Sequence, residues 1–200
     1  MKYLMNTVLI FLVLVSSVMS GRTDSEILLN VSYPEFAWAD SDFENQFMRQ
    51  LSRQKGVQIE LTSKHDRELS FPENIYDTDA LLDYGRETGS NFIMLINVES
   101  KRLERRKTFH IPAIIHKYET IGILEGEVRI IDISRNKMVM AESFKVEKNG
   151  PRIVQGSMDD EISDPDLHLS AVQKVRFFNQ LDQKLTEYLM KKTRRYLGIR

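Results

Sequence analysis

Histidine is the side chain best suited to metal binding and to acid–base work near neutral pH, and the 200-residue chain has four. His110 and His116 flank Ile111-Pro112-Ala113-Ile114-Ile115. A spacing of six across a proline matches no helical ligand pair such as H-E-x-x-H, so the segment reads as a partly apolar loop or strand. His65 and His168 stand in polar stretches without companions. Asp159, Asp160, Glu161, Asp164 and Asp166 form an acidic run. A calcium loop needs alternating oxygen ligands, a central glycine and a terminal glutamate; DDEISDPDLHLS lacks that order and reads as a solvated loop. Gly89-Ser90 and Gly156-Ser157 lack the G-x-S-x-G setting of a serine nucleophile. Gly122, Gly126 and Gly150 do not build a phosphate cradle. Cysteine is absent, which removes thiol catalysis, Cys-ligated zinc and lipid attachment at an N-terminal cysteine. No catalytic residue and no cofactor is expected.

The most distinctive charged feature is Lys101-Arg102-Leu103-Glu104-Arg105-Arg106-Lys107. Four of its cations, Lys101, Arg102, Arg105 and Arg106, are candidates for holding an acidic partner surface, a cell-wall polymer or a lipid head group. The plainer reading is a solvated strand continuation whose charges discourage edge-to-edge aggregation. Next to it, Phe109-His-Ile-Pro-Ala-Ile-Ile-His-Lys-Tyr118 is apolar yet broken by Pro112. Such a segment either tucks over a core or offers a contact patch. Phe109, Ile111, Ile114 and Tyr118 therefore join the four cations as the expected partner-binding surface.

The elements that must position these residues follow from periodicity. Residues 26–33 read as a first strand closed by Pro34. Ser41-Asp-Phe-Glu44 makes a capping box, and Phe43, Phe47, Met48 and Leu51 share the helical face it opens, with Gly56 after it. Val57, Ile59 and Leu61 alternate with polar residues as a second strand. Residues 63–76 are polar and read as a loop. Asp77 or Thr78 caps a second short helix that ends at Gly89. Phe92–Val98 is a continuous apolar run suited to a central strand. Residues 100–120 read as irregular. Residues 121–132 and 138–147 alternate about the turn Ser134–Lys137 as an antiparallel hairpin. Residues 148–168 read as a long polar loop. From 170 to 196 apolar residues hold helical spacing, with Lys192, Arg194 and Arg195 near the end, where cations suit the helix dipole. The expected fold class is α/β (α+β): a mixed β-sheet with an antiparallel hairpin, two short helices and a long C-terminal helix packed on it.

Composition is that of an ordinary globular protein, 42% hydrophobic and 28% charged, with formal net charge −1. Near neutrality gives no global field for nucleic acid, and no nucleic-acid partner is expected. The N-terminus differs from the rest. Lys2 precedes the unbroken apolar run Val8–Val15, and Val18 and Ser20 supply small residues for cleavage before Gly21. This is the pattern of a signal peptide, residues 1–20, followed by one exported α/β domain, 21–200. The alternative is an uncleaved anchor, although the apolar stretch is shorter than the roughly 20 residues a spanning helix uses.

Three segments carry a resemblance: FENQFMRQLSRQKGVQIE (43–60), DALLDYGRETGSNFIMLINVES (79–100) and EGEVRIIDISRNKMVMAESFKVE (125–147). Together they resemble the periplasmic α/β domain of the CsgG, LpoB and TolB N-terminal group. In that group a helix ending in glycine precedes a strand, a second helix ends in a small-residue turn before an apolar strand, and a later hairpin has the form hydrophobic-D-x-x-x-x-K-hydrophobic, met here by Asp132 and Lys137. The resemblance implies an envelope protein that binds other proteins in assembly, secretion or cell-wall maintenance, without catalysis. The chain departs from that group in having no cysteine to lipidate. In addition, 99–120 lacks the alternating lipid-facing pattern of a pore hairpin, so neither a pore nor any functional residue is carried over. The reading is an exported, periplasmic or secreted, non-catalytic protein whose partner is an envelope protein or cell-wall component, with peripheral membrane contact compatible with the basic run. The competing reading is an exported hydrolase with a site of dispersed carboxylates and histidines.

Overall fold

The computed structural model describes residues 25–33, 43–65, 69–111, 115–155 and 169–197; for 107–111, 115–118 and 151–155 the backbone alone is described. The leader (1–20), the Ser41 cap, Ile114 and the acidic run 159–166 lie outside the described residues.

Strand β1 (Ser25–Ser32) is followed by helix α1 (Phe43–Ser52) and strand β2 (Val57–Leu61). Gly56 enters β2 with φ 79°, a left-handed conformation that costs glycine nothing. A 3-10 turn (Thr62–Lys64) precedes helix α2 (Thr78–Glu87). Asp77 caps α2 as expected, its carboxylate accepting from the Ala80 N–H at 3.1 Å. Strands β3 (Phe92–Ile111), β4 (Ile115–Asp132) and β5 (Lys137–Gln155) follow, and helix α3 (Ala171–Tyr196) closes the described chain. Ser170 and Gln173 form a capping box at its start.

The sheet runs β2-β1-β3-β4-β5. β1 is parallel to β2 and β3; β3–β4 and β4–β5 are antiparallel. β1, between two strands, is buried on both faces at Ile27, Leu28 and Leu29. Alternation sends Ile27 and Leu29 to one core with Met94, Ile96, Val128 and Ile130, where Phe43 and Phe47 of α1 and Leu181, Leu185 and Leu189 of α3 meet them. Leu28, Ile93, Leu95 and Ile131 point the other way, onto Leu81, Leu82 and Tyr84 of α2. The expected mixed sheet, hairpin, two short helices and long C-terminal helix are all present.

Two expectations are corrected. Residues 100–111 and 115–120 are not irregular: they are the far half of β3 and the near half of β4, paired from Ser100↔Glu125 out to Ile111↔Ile115. Residues 148–155 are strand as well, paired to β4 as far as Gln155. The reason is local. Register shifts fall at Val98/Ser100, Lys107/Phe109 and Glu119/Ile121, and each bulge resets the two-residue alternation that marks a strand in sequence. Pro151 is tolerated because β5 is an edge strand. β3, β4 and β5 therefore run 20, 18 and 19 residues, against 8 and 5 for β1 and β2. Their outer halves form a three-stranded ribbon reaching past the parallel part of the sheet.

Candidate functional site

The basic run sits on β3 just beyond its last pairing with β1 at Asn97. Successive residues of a strand point to opposite faces, and this splits the run. Lys101 points inward: its Nζ lies 2.7 and 2.9 Å from the two carboxylate oxygens of Asp182 on α3, and 5.3 Å from the Phe178 ring centroid. The side chains are 1% and 0% exposed. A lysine so enclosed is available to no partner. Its expected place on an exposed surface is corrected: it is an internal anchor between β3 and α3.

Arg102 is half exposed but engaged. It donates to Glu125 Oε2 and Glu104 Oε1, both at 2.7 Å, and to Ser100 Oγ at 2.6 Å. Lys145 closes the row, 3.0 Å from Glu125 and 3.3 Å from Glu147. Hydrogen bonds from Arg102 first, then from Lys145, hold the Glu125 carboxyl below the usual carboxylate range, and Glu125 in turn raises the Lys145 ammonium. Arg102 is thus half of an ion-pair row across three strands. Arg105 is half-buried and Arg106 is exposed. Phe109, Ile111 and Tyr118 lie on the ribbon strands, and their side chains, like Ile114, are outside what the structure describes. His110 and His116 are directly paired residues of β3 and β4. Among the described residues, no three of His, Asp and Glu converge as a metal site would require.

Asp132 and Lys137, the pair in the hairpin pattern, are cross-strand partners closing the β4–β5 turn. The Asp132 carboxylate accepts from Ser134 Oγ at 2.7 Å and from the Arg135 N–H at 2.9 Å. Its role is to shape the turn, where Asn136 takes φ 51°.

A concave surface outside the expected partner-binding run lies at the start of α3. Ala171, Val172, Val175, Arg176, Asn179 and Gln183 line a groove of about 590 Å3, with Gln46 of α1 on the opposite wall. Val172 is 78% and Val175 43% exposed. Helix geometry explains the groove. Val172, Val175, Asn179, Gln183, Thr186, Met190 and Thr193 fall in one line at spacings of three and four. The last three are buried, and the two threonines satisfy their hydroxyls on the carbonyls of Asp182 and Leu189, both at 2.8 Å. α1 packs beside α3, but its 10 residues span about 15 Å against about 39 Å for the 26 of α3. The line therefore runs on past its cover, leaving two valines and a row of amides in the open. Among the described residues the lining holds one arginine and no acid, a composition suited to holding a surface.

No helix among the described residues is long and apolar enough to cross a membrane. No family model matches the chain, and no curated protein matches it by sequence. Among solved structures, it is similar to a putative neuraminyllactose-binding hemagglutinin homolog from Helicobacter pylori (TM-score 0.46, 13% identity, covering 86% of this chain and 83% of that one). It is also similar to a hypothetical protein from Chlamydia trachomatis (TM-score 0.40, 10% identity, 83% and 98%). A third similarity is to the LpoB C-terminal domain from Salmonella enterica (TM-score 0.37, 8% identity, 62% and 83%).

Proposed function

We propose that this chain is an exported, non-catalytic envelope protein that works by binding another protein, and that the uncovered start of α3 is its contact surface. The observation that carries this is the groove: exposed Val172 and Val175 flanked by side-chain amides and a single guanidinium. Apolar side chains left in the open at a concave site gain by being covered, and amides satisfy a partner's backbone without imposing charge. The leader pattern of residues 1–20 supports export. The ribbon run 101–106 is a weaker candidate, since Lys101 and Arg102 already have carboxylate partners within the chain.

A photo-crosslinking residue placed at Val172 in the full-length chain, expressed in its own cell envelope, tests this. An adduct of discrete mass is expected from position 172 and not from Lys191, an exposed position near the far end of the same helix. Equal labelling from both positions, or none from 172, overturns the assignment.

A further inference from the structure

We infer that the occupant of the α3 groove is a short amphipathic helix of another protein whose apolar face is bordered by aspartate or glutamate. The inference rests on the proposed binding role and names the chemistry of the partner. Three features of the groove decide it. The first is continuity: the open lane is the direct extension of a line on α3 that is already buried at Thr186, Met190 and Thr193. What fits is one more helix, of two to three turns, lying against α3 where α1 gives out. The second is size. Val172 and Val175, three apart, present a narrow apolar strip, which matches the i, i+3, i+4 anchors of a docked helix. A membrane surface would instead meet a flat array of bulky aromatic and aliphatic side chains, as interfacial helices present.

The third is charge. Among the described residues that line the groove the one ionisable side chain is Arg176. The N-terminal end of a 26-residue helix adds positive potential in the same place. Acidic flanks on the partner complement this, and basic flanks oppose it. The same charge argues against a second copy of this chain, because a two-fold contact through the groove brings two Arg176 guanidinium groups into linings that, among the described residues, hold no acid.

The test uses the purified chain without its leader and three synthetic helical peptides of about 14 residues, long enough for the open lane. All share one apolar face and differ only in flanks of Glu, Gln or Lys. By fluorescence anisotropy the Glu peptide is expected to bind at least about tenfold more tightly than the Lys peptide, with the difference shrinking as salt is raised. Arg176→Glu should invert that order. Val175→Asp should abolish binding of all three, and since both residues are exposed the variants keep their fold, checked by circular dichroism. Equal binding of the three peptides, a preference for Lys flanks, or no inversion in Arg176→Glu overturns the inference. So does a doubling of mass with concentration that Val175→Asp removes, or co-sedimentation with anionic phospholipid vesicles in place of peptide binding. A crosslink from Val172 together with indifference to peptide charge leaves the binding role standing and removes the acidic helix; no crosslink removes the binding role itself.

Discussion

Lys101 holds its ammonium against Asp182 where both side chains are shut off from water. It stands first in a run of cations and would be placed on a wet surface with Arg102, Arg105 and Arg106. The fold instead closes it against Asp182, eighty-one residues later. Taking two charges out of water is costly, and their attraction repays it only when the pair is intact. Lys101→Met leaves Asp182 uncompensated and is expected to lower unfolding stability by about 3–5 kcal/mol, while Lys101→Met with Asp182→Leu recovers most of that loss. Arg106→Ala, at an exposed position, should stay within about 0.5 kcal/mol. Urea denaturation reads all three; if Lys101→Met costs no more than Arg106→Ala, the pair is not an internal anchor. One sequence signal did exist. Asp182 falls between Phe178, Leu181 and Leu185 on the apolar stripe of the last helix, and an acid there needs a buried cation.

At the scale of elements, the ribbon is held by close packing against α3 as well as by that pair. Gly122 on β4 and Gly150 on β5 make room for the Phe177 ring: a Cβ at Gly122 would sit 2.5 Å from Phe177 Cε1 and 2.7 Å from Leu181 Cδ1, and one at Gly150 would sit 2.7 Å from Phe177 Cε2. Neither glycine marks a turn; both mark an approach of ring to sheet. Gly122→Ala is expected to cost about 1–3 kcal/mol through overpacking. In calorimetry, Gly122→Ala with Phe177→Leu should lose less than the two single changes summed, and strict additivity would show that the ring does not rest on the glycine. The helices were legible because caps and 3.6-residue periodicity are local: Asp77 and Gly89 act where the sequence placed them. The outer ribbon was not legible, because bulges at Val98/Ser100 and Glu119/Ile121 break the alternation and the strand pairing that spans them is non-local.

For the whole molecule, residues 1–20 carry the pattern expected of an apolar leader ahead of a body of ordinary composition. The expected consequence is processing: intact-mass measurement of the protein recovered from the envelope should place its first residue at Gly21. Full-length mass there would replace cleavage with an N-terminal anchor and leave the body on the same side of the membrane.

The sequence by itself determined the helices, the inner strands and the Asp77 cap, since each depends on residues close together in the chain, and through their order the fold class. It also determined which chemistries lack their motifs. The tertiary structure decided which charges are taken up within the chain. Asp182 on α3 neutralises Lys101, and neighbours across three strands hold Arg102, so two cations of a run that reads as a basic patch are engaged internally. It also decided where apolar surface is left over. Val172 and Val175 read as two more positions of a buried stripe, and the structure shows them exposed at the start of α3. Burial is a property of what lies opposite, and a one-dimensional pattern carries the facing side of an element without carrying whether anything arrives to cover it.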